Sequence, residues 1–331
     1  MKLLRVKYKS NNRIDVLAEY NGQWYALSQM QNVLDIAQYS REVGFIDDDI
    51  ILKILQTEDS FQKGIFNTLA SGDIRERVSL DDVSVLIPLM PASCRDFMLS
   101  EDHVINASRG YVKRYMPLVY KITAIYEMII RKPFPAFKPD KYWYKAPICY
   151  FGNHLNFSCD NIAVTFPDYC EGADYELELG VFLKKSIKNA TIEEAREAIG
   201  GFVIFNDLSM RGIQVKEMNS GFGPQKAKSF GNMISAMVVT PESVGDYNNL
   251  KAGISINGQE VVSTSTAGMH YDIAEAIAYA SKGEQLHPGE FFGSGTLPGG
   301  SGMENGHWIK AGDEVEFTIE TLGSLVFRVQ S

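Results

Sequence analysis

Two acidic side chains stand two positions apart in the sequence DYELELG at 174–180. Side chains alternate between the faces of a β-strand, so Glu176 and Glu178 would share one face and Leu177 and Leu179 the other. Neighbouring carboxylates repel each other when they are buried, and a bound cation removes that repulsion. The segment therefore indicates either a cation site or a strand with one solvated acidic face, and by itself it leaves both interpretations open.

Three further residues suit the same chemistry. Asp207 follows the apolar run 202–205, at the predicted end of a strand, where a rigid element meets a loop and catalytic groups are frequent. Asp96 and His103 stand seven residues apart, and on a helix this spacing places both on one face about 10 Å apart. Each also has an ordinary explanation: a turn for Asp207, a helix N-cap for Asp96, and a surface or core position for His103.

The type of ligand limits the type of cation. Asp96, Glu176, Glu178 and Asp207 all offer carboxylate oxygens, which hard cations prefer, Mg²⁺ first and then Ca²⁺ or Mn²⁺. A zinc site would need a cluster of histidines or cysteines, and the five histidines show no pair at ligand spacing. The sequence therefore predicts a magnesium-type site.

The elements around these residues are short strands with a few helices. A strand over 81–88 ends at a proline, and we place a domain boundary near 88–91. This gives a smaller N-terminal α+β domain at 1–90, which includes a helix-like stretch at 47–66, and a larger second domain at 91–331. Apolar residues at helical spacing predict helix across 100–131, interrupted only by Pro117.

The second half is dominated by strands. Thr191 begins a predicted helix with Glu194 as its capping-box partner, and a buried strand follows at 202–205. Another helix is predicted over 272–281. Alternating apolar residues over 315–329, divided by a turn at 322–324, predict a C-terminal hairpin.

The composition is that of a folded globular protein, with 331 residues, of which 45% are hydrophobic and 22% charged. Acidic residues outnumber basic ones by 41 to 32, and the net charge of −9 disfavours nucleic acid and anionic membranes as partners. Charges recur every few residues in the first segment, so we expect no signal peptide, and no apolar run approaches the roughly 18–20 residues needed to span a bilayer. The four cysteines form no C-x-x-C pair, so we expect reduced thiols in a soluble, cytoplasmic protein.

Five motifs in a fixed order resemble the fumarylacetoacetate hydrolase family, over about residues 91–331. The resemblance implies a mixed, largely antiparallel β-roll catalytic domain of α+β, mostly β, class, with a smaller N-terminal domain and assembly as a homodimer. Each motif alone is weak, and the five together with sensible spacing are specific. The motifs are RDF at 95–97 with His103, DYELELG at 174–180, NDLSMR at 206–211 with Gln214, GPQKAKSFG at 223–231, and GT at 295–296 leading to GGSGME at 299–304.

The resemblance also implies a role for each matching residue. Two positions depart from the family pattern: Met98 stands where fumarylacetoacetases carry a tyrosine near the substrate, and Gly212 stands where many members have aspartate. Both departures concern the substrate and leave the metal site intact. The implied roles are metal ligands at Asp96, Glu176, Glu178 and Asp207; catalytic groups at His103, Glu304 and Lys228; and substrate contacts at Arg211, Gln214, Tyr150, Thr296 and Met98.

The implied reaction is hydrolysis of a carbon–carbon bond in a β-diketo acid, such as an acylpyruvate or fumarylacetoacetate, as in aromatic amino acid catabolism. Glu304 would orient His103, which takes a proton from the attacking water, while the cation acts as a Lewis acid. Lys228 and Gln214 would stabilise the oxyanion. Two other functions remain open: a lyase or isomerase acting on a 2-oxo acid such as oxaloacetate, and a non-enzymatic protein with a structural cation that binds small ligands.

Three of these features have ordinary alternatives. Arg211 offers a planar fork for a substrate carboxylate, but it also suits a structural ion pair. Lys228 could belong to a surface loop. The five glycines within 293–302 lack the spacing of a phosphate-binding loop, and we interpret them as a loop that approaches the site closely.

Overall fold

Antiparallel strand pairing dominates the computed structural model, which describes residues 1–27, 50–56, 59–71 and 77–330, without the side chains of 59–63 and 66. Part of the predicted helix at 47–66 lies outside the described residues. The strands are β1 Lys2–Tyr8, β2 Ile14–Tyr20, β3 Gln23–Ala26, β4 Arg77–Val78, β5 Val83–Leu86, β6 Ser93–Phe97, β7 Cys149–Phe151, β8 Phe157–Ser158, β9 Ile162–Thr165, β10 Ala173–Asp174, β11 Leu177–Leu183, β12 Ile199–Asn206, β13 Ser209–Met210, β14 Asn232–Ile234, β15 Met237–Val239, β16 Lys251–Ile256, β17 Gln259–Ser265, β18 Glu290–Gly293, β19 Glu314–Ile319 and β20 Gly323–Gln330. The helices are α1 Ile50–Gln56, α2 Asp59–Ser71, α3 Glu101–Tyr115, α4 Pro117–Ile130, α5 Ile192–Ala198, α6 Arg211–Asn219, α7 Pro241–Val244, α8 Ile273–Ala280 and α9 Gly302–Asn305.

The strands form two larger sheets and one short pair. The larger sheet has the order β4-β3-β2-β1-β15-β12-β11-β18-β6-β7, with β5, β8 and β14 attached beside it. The second sheet has the order β17-β16-β19-β20-β9, and β10 pairs with β13. Parallel pairing occurs at β18–β6, β14–β8 and β20–β9, and the other described pairs are antiparallel. The predicted α+β class with largely antiparallel sheets is confirmed.

The N-terminal strands extend the same sheet that holds the centre of the molecule. β1 pairs with β2 and β5 on the N-terminal side and with β15 in the register Leu4↔Met237. Leu3 and Ile54 share a core cluster with Phe182 and Phe291. Strand pairing and packing therefore both cross the boundary that the sequence suggests near residue 90, and the division into two domains stays a prediction.

β11 and β12 are buried along their whole length. Their alternating side chains enter two different cores, Leu179 on one side and Phe182 on the other. Burying a large apolar side chain contributes about 1.5–3 kcal/mol, so this pair is held firmly. Polar residues at the ends of these strands are consequently fixed in position and shielded from water.

Several predicted elements appear where the sequence places them. The helical stretch 100–131 is two helices, α3 and α4, with Pro117 in the first turn of the second. α5 has the predicted capping box, in which Thr191 Oγ1 accepts from Glu194 N at 3.1 Å. The C-terminal hairpin is formed by β19 and β20. No helix in the described ranges is both long and apolar enough for a membrane span.

Asp96 and His103 do not share a helix, so the separation that a common helix would give them does not apply. Asp96 lies in β6, where its backbone pairs with Tyr150 on one side and with Gly293 on the other. α3 begins only after Ser100, whose side chain accepts from His103 N at 3.2 Å. Pairing with a strand on each side keeps the backbone of β6 extended, so Asp96 is not part of the helix that holds His103.

Candidate metal centre and its histidine–glutamate pair

Three carboxylates meet near the ends of three strands of the larger sheet. Asp96 belongs to β6, Glu178 to β11, and Asp207 directly follows β12. One oxygen from each lies within 4.8 Å of the others. Their exposed fractions are 4%, 0% and 0%, so the group is removed from solvent. Three of the four predicted metal ligands are thus brought together.

A glycine makes room for this meeting. β18 runs between β11 and β6, and its residue Gly293 pairs with Asp96 on one side and Gly180 on the other. A Cβ atom at Gly293 would lie 2.5 Å from Asp96 Oδ1 and 3.0 Å from Glu178 Oε2. Any side chain there would therefore push the two carboxylates apart, which supports the expected close-approach role of the glycine-rich segment.

The negative charges of the three carboxylates are not fully compensated by positive groups. Burial, and then the charges of Asp96 and Asp207, raise the pKa of Glu178 well above its ordinary value. Burial also raises the pKa of Asp207, against the opposing charge of Lys228. Glu178 Oε2 is buried and has no hydrogen-bond partner among the described residues. A hard divalent cation fits this donor set, because it would supply the missing partner and relieve the repulsion.

The fourth predicted ligand, Glu176, is engaged differently. Its Oε1 lies 2.8 Å from Arg211 Nη1, and its Oε2 accepts from Lys228 Nζ, which also donates to Asp207. Although burial alone would raise the pKa of Glu176, Arg211 and Lys228 hold it below its ordinary value. One lysine therefore joins Glu176 to the carboxylate cluster, and metal ligation by Glu176 stays a prediction.

His103 and Glu304 form a buried pair beside this group. His103 Nδ1 lies 2.9 Å from Glu304 Oε2, and the two side chains are 8% and 1% exposed. Burial disfavours the charged imidazole, yet the charge and hydrogen bonding of Glu304 raise the pKa of His103 above its ordinary value. Glu304 is itself fixed, because its oxygens accept from Gly299 N and Ser301 Oγ, each at 2.9 Å.

The approach of α3 to α9 brings this pair together. Gly110 lies in α3 where the helix touches the backbone of α9, and a Cβ atom there would be 1.7 Å from Met303 O. Only glycine permits the two elements to pack at this distance. Gly110 is not apparent from the sequence, because a lone glycine within a helical pattern carries no local sign of such a contact.

Asp174 is a second residue whose role is not apparent from the sequence. Its carboxylate accepts four hydrogen bonds, from the backbone N–H groups of Tyr175, Gly302 and Met303 and from Arg211 Nε. It thus connects the N-terminus of α9 to Arg211. Its position at the start of the DYELELG segment was the available signal, but nothing local distinguishes it from a solvated aspartate.

The predicted substrate-binding residue Arg211 is 4% exposed and largely engaged within the protein. Besides Asp174 and Glu176, it contacts Gln214, whose Oε1 accepts from Nη1 at 2.9 Å. The structural ion-pair explanation therefore holds for part of the guanidinium group. Arg211 Nη2 is buried and has no hydrogen-bond partner within the described ranges, so one donor remains for another group.

The other predicted contacts also lie at or near the cluster. Tyr150 Oη donates to Asp207 Oδ2 at 2.7 Å, and Thr296 Oγ1 lies 3.5 Å from Glu178 Oε1. Met98 is half-buried, and its carbonyl accepts from Trp143 Nε1 at 2.6 Å. Lys228 is 2% exposed, so the surface-loop explanation for this lysine is wrong.

Comparison with known proteins gives consistent matches. A family profile described as fumarylacetoacetate (FAA) hydrolase C-terminal matches residues 130–330. A 2,4-didehydro-3-deoxy-L-rhamnonate hydrolase from Sphingomonas sp. (strain SKA58) is 32% identical over 166 residues, 50% of this chain and 58% of that protein. Oxaloacetate tautomerase YcgM from Escherichia coli (strain K12) is 34% identical over 148 residues, 44% of this chain and 65% of that protein. The match spans less than two thirds of the length of each of these two relatives.

The fold is shared with solved structures. A maleylpyruvate hydrolase from Sphingobium sp. SYK-6, in complex with manganese(II) ion and pyruvate, superposes with a TM-score of 0.68 at 16% identity, covering 100% of this chain and 99% of that one. The fold and the site define an α+β protein with a buried carboxylate centre. The chain belongs to the fumarylacetoacetate hydrolase family.

Proposed function

We propose that this protein is a metal-dependent hydrolase that cleaves a carbon–carbon bond in a β-diketo acid. The observation that carries the proposal is the buried His103–Glu304 pair, with its 2.9 Å contact, next to the carboxylate cluster. A cation with only a structural role does not require a histidine–glutamate pair beside it. The charge of His103 also lowers the pKa of Glu176, which supports one common site for the pair and the carboxylates.

The cation would be held by Asp96, Glu178 and Asp207, with Glu176 as the fourth ligand. All four offer oxygen, which favours Mg²⁺, with Ca²⁺ or Mn²⁺ as alternatives. When it is bound, such an ion supplies a positive charge that polarises the oxo groups of a substrate. The structural relative that contains manganese(II) and pyruvate supports an oxo-acid ligand for this family.

The protein's own residues would move the proton and bind the substrate. His103 has Nδ1 turned to Glu304, which leaves Nε2 to take a proton from water. Glu304 stabilises the imidazolium ion that results. Lys228 keeps its positive charge, because Asp207 and Glu176 raise its pKa against the effect of burial, and it would stabilise a developing oxyanion with Gln214.

Substrate recognition would use the remaining donors. The unpartnered Nη2 of Arg211 suits one oxygen of a substrate carboxylate. Tyr150 and Thr296 contact two of the carboxylates of the cluster and would border the substrate. Met98, two residues after Asp96, would also border it. We further propose that the protein acts as a homodimer on products of aromatic catabolism, as its family resemblance suggests.

A second candidate function is isomerisation or decarboxylation of a 2-oxo acid. It is favoured by the 34% identity to an oxaloacetate tautomerase. This chemistry requires stabilisation of an enolate but no activated water. A third candidate is ligand binding without catalysis. It would give His103, Glu304 and Lys228 no catalytic role.

The deciding experiment combines a substrate screen with isotope labelling. Acylpyruvates, fumarylacetoacetate and oxaloacetate are incubated with Mg²⁺ or Mn²⁺, with EDTA as the control, in ¹⁸O-labelled water. Hydrolysis places the label in a product carboxylate, whereas tautomerisation or decarboxylation produces no such cleavage product. Unchanged compounds under all conditions would contradict both enzymatic proposals.

Variants then test the role of the pair. His103→Ala and Glu304→Gln are expected to lower kcat about 10²–10⁴-fold while Mn²⁺ still binds. His287→Ala, which changes an exposed histidine, is the matched control. Cleavage by His103→Ala at a rate near that of the wild type would refute the water-activating role.

A further inference from the structure

A single carboxylate binds three successive backbone N–H groups in the turn at 225–228. It belongs to Glu217, near the end of α6. Its Oε2 accepts from Gln225 N at 2.8 Å and from Ala227 N at 3.1 Å, and its Oε1 accepts from Lys226 N at 2.8 Å. Successive backbone N–H groups form a concave site for an anion, and hydrogen bonds to an ionised acceptor are roughly twice as strong as neutral ones. The anion in this site is therefore supplied by the protein itself.

Two glycines bring the chain back from the end of α6 to this turn. Gly221 has a φ of +86° and Gly223 a φ of +76°. Glycine adopts this left-handed conformation without the steric cost of a side chain. The chain therefore reverses after Asn219, where α6 ends. The reversal places the Glu217 carboxylate beside backbone groups that lie eight to ten residues further along the chain.

The turn is held by other elements as well. Ala227 O accepts from Met210 N at 3.1 Å, and Ser229 O accepts from Asn156 Nδ2 at 2.8 Å. The backbone on both sides of Lys228 is therefore fixed, and the buried lysine side chain extends from it to the carboxylates of the candidate metal centre. The position of the Lys228 ammonium group consequently depends on where this turn is held.

α6 also carries the second proposed oxyanion donor. Gln214 and Glu217 are three residues apart, a spacing that makes them neighbours on the surface of a helix. Gln214 is itself held in place, because its Oε1 accepts from Arg211 Nη1 at 2.9 Å. One helix therefore sets the position of Gln214 directly and, through the Glu217 carboxylate, the position of the backbone that bears Lys228.

We propose that Glu217 is a positioning residue that fixes Lys228 relative to Gln214, so that both donors face the same substrate oxygen. The inference rests on the proposed function, which assigns these two donors to the oxyanion. Glu217 acts through the backbone of the turn rather than on the substrate. Without its carboxylate, three N–H groups lose their acceptor, the turn opens more often, and the ammonium group of Lys228 leaves its place.

Chemical labelling of Lys228 tests the positioning without an assay of turnover. The wild type, Glu217→Ala and Glu217→Gln are treated with N-hydroxysuccinimidyl acetate, and the chymotryptic peptide 223–230, which contains Lys226 and Lys228, is analysed by fragmentation in the mass spectrometer. Acetylation of Lys228 is expected to rise about tenfold in both variants, because the turn loses hydrogen bonds to a charged acceptor. Lys226 is exposed and serves as the internal reference.

The matched control for the labelling is Glu193→Ala, which changes an exposed glutamate of α5. Labelling of Lys228 in this control is expected to equal that of the wild type. Unchanged labelling in both Glu217 variants would overturn the proposal. This result is obtained whether or not a substrate is found, so that failure of the proposed function and failure of the positioning role are separate outcomes.

Steady-state kinetics and chemical rescue then distinguish positioning from a general loss of stability. On a substrate that the wild type turns over, Glu217→Ala is expected to lower kcat about 10²-fold with little change in KM, because oxyanion donors act mainly in the transition state. Acetate can occupy the vacated backbone site and should restore part of kcat in Glu217→Ala only, whereas chloride at equal ionic strength should not. A normal kcat in Glu217→Ala, or a raised KM with kcat retained, would overturn the proposal.

Discussion

Arg211 Nε donates to Asp174 Oδ2 over 2.7 Å, and the two side chains are only 5% and 0% exposed. Asp174 also accepts from the backbone at the start of α9, the helix that carries Glu304. Arg211 in turn lies 2.8 Å from Glu176. This buried ion pair therefore connects the element that positions the histidine–glutamate pair with the carboxylates of the candidate metal centre.

We expect Asp174→Asn to destabilise the protein by about 3–5 kcal/mol, because it leaves the buried charge of Arg211 with less compensation. The new amide nitrogen would also face donors rather than acceptors. Urea unfolding of the variant measures the loss. Asp168→Asn, at an exposed aspartate, should stay within about 0.5 kcal/mol of the wild type. A stability for Asp174→Asn equal to that of this control would contradict the structural role.

Gly110→Ala is expected to separate α3 from α9. A Cβ atom at Gly110 would lie 1.7 Å from Met303 O, so the backbone of one element must move. We predict a lower melting temperature and weakened catalysis, because the contact of His103 with Glu304 depends on this packing. Gly64→Ala is the matched control: its Cβ atom meets nothing within 4 Å, and alanine in a helix should stabilise it by about 0.5–1 kcal/mol. Equal effects of the two variants would show that the close approach is unimportant.

The two glutamates of the DYELELG segment should respond to substitution with opposite signs. In EDTA, Glu178→Gln should raise the free energy of unfolding at neutral pH, because it removes one of three repelling buried carboxylates. Glu176→Gln should lower it by about 3–5 kcal/mol, since Arg211 and Lys228 lose their common partner. Thermal unfolding of both variants decides this prediction, and two changes of the same sign would disprove it.

Addition of Mn²⁺ should stabilise the wild type but have little effect on Glu178→Gln. Binding to the folded state alone adds about 2.7 kcal/mol at a ligand concentration of 100 times Kd. The measurement is the shift of the melting temperature between EDTA and saturating Mn²⁺, with calorimetric titration as a second readout. A wild type that neither binds Mn²⁺ nor is stabilised by it, or a full shift in the Glu178→Gln variant, would remove Glu178 as a ligand.

Asp160 should make stability depend on pH. Burial raises the pKa of Asp160 to about 6, against the hydrogen bond that Ala236 N donates to it. The folded state therefore holds this proton more tightly than the unfolded state, and the contribution of Asp160 to stability falls as the pH rises from 4 through 6. Asp160→Asn should consequently stabilise the protein by up to about 3 kcal/mol at pH 7 and by little at pH 4. Unfolding curves that differ equally at both pH values would contradict this cause.

Local sequence patterns were sufficient for the elements whose signals lie within a few residues. The capping box of Thr191 and Glu194, the helical stretch on both sides of Pro117 and the C-terminal hairpin depend on neighbours in the chain, and each is present. No such short-range signal identifies the strand that holds Asp96. Its strand is fixed by pairing with β7 and β18, which are distant in sequence.

The sequence by itself determined the class of fold, the family and the acidic residues of the candidate metal centre. Motif order and periodicity, on which these depend, are properties of the chain. Only the tertiary structure decided which charged groups each of those residues contacts. It places Glu178 among carboxylates and Glu176 between Arg211 and Lys228, although the two glutamates are nearly identical in local sequence. It also reveals Gly110 and Gly293 as the positions where two elements can approach. The charged partners of a residue and the space around it come from residues far apart along the chain. No local sequence pattern contains this information.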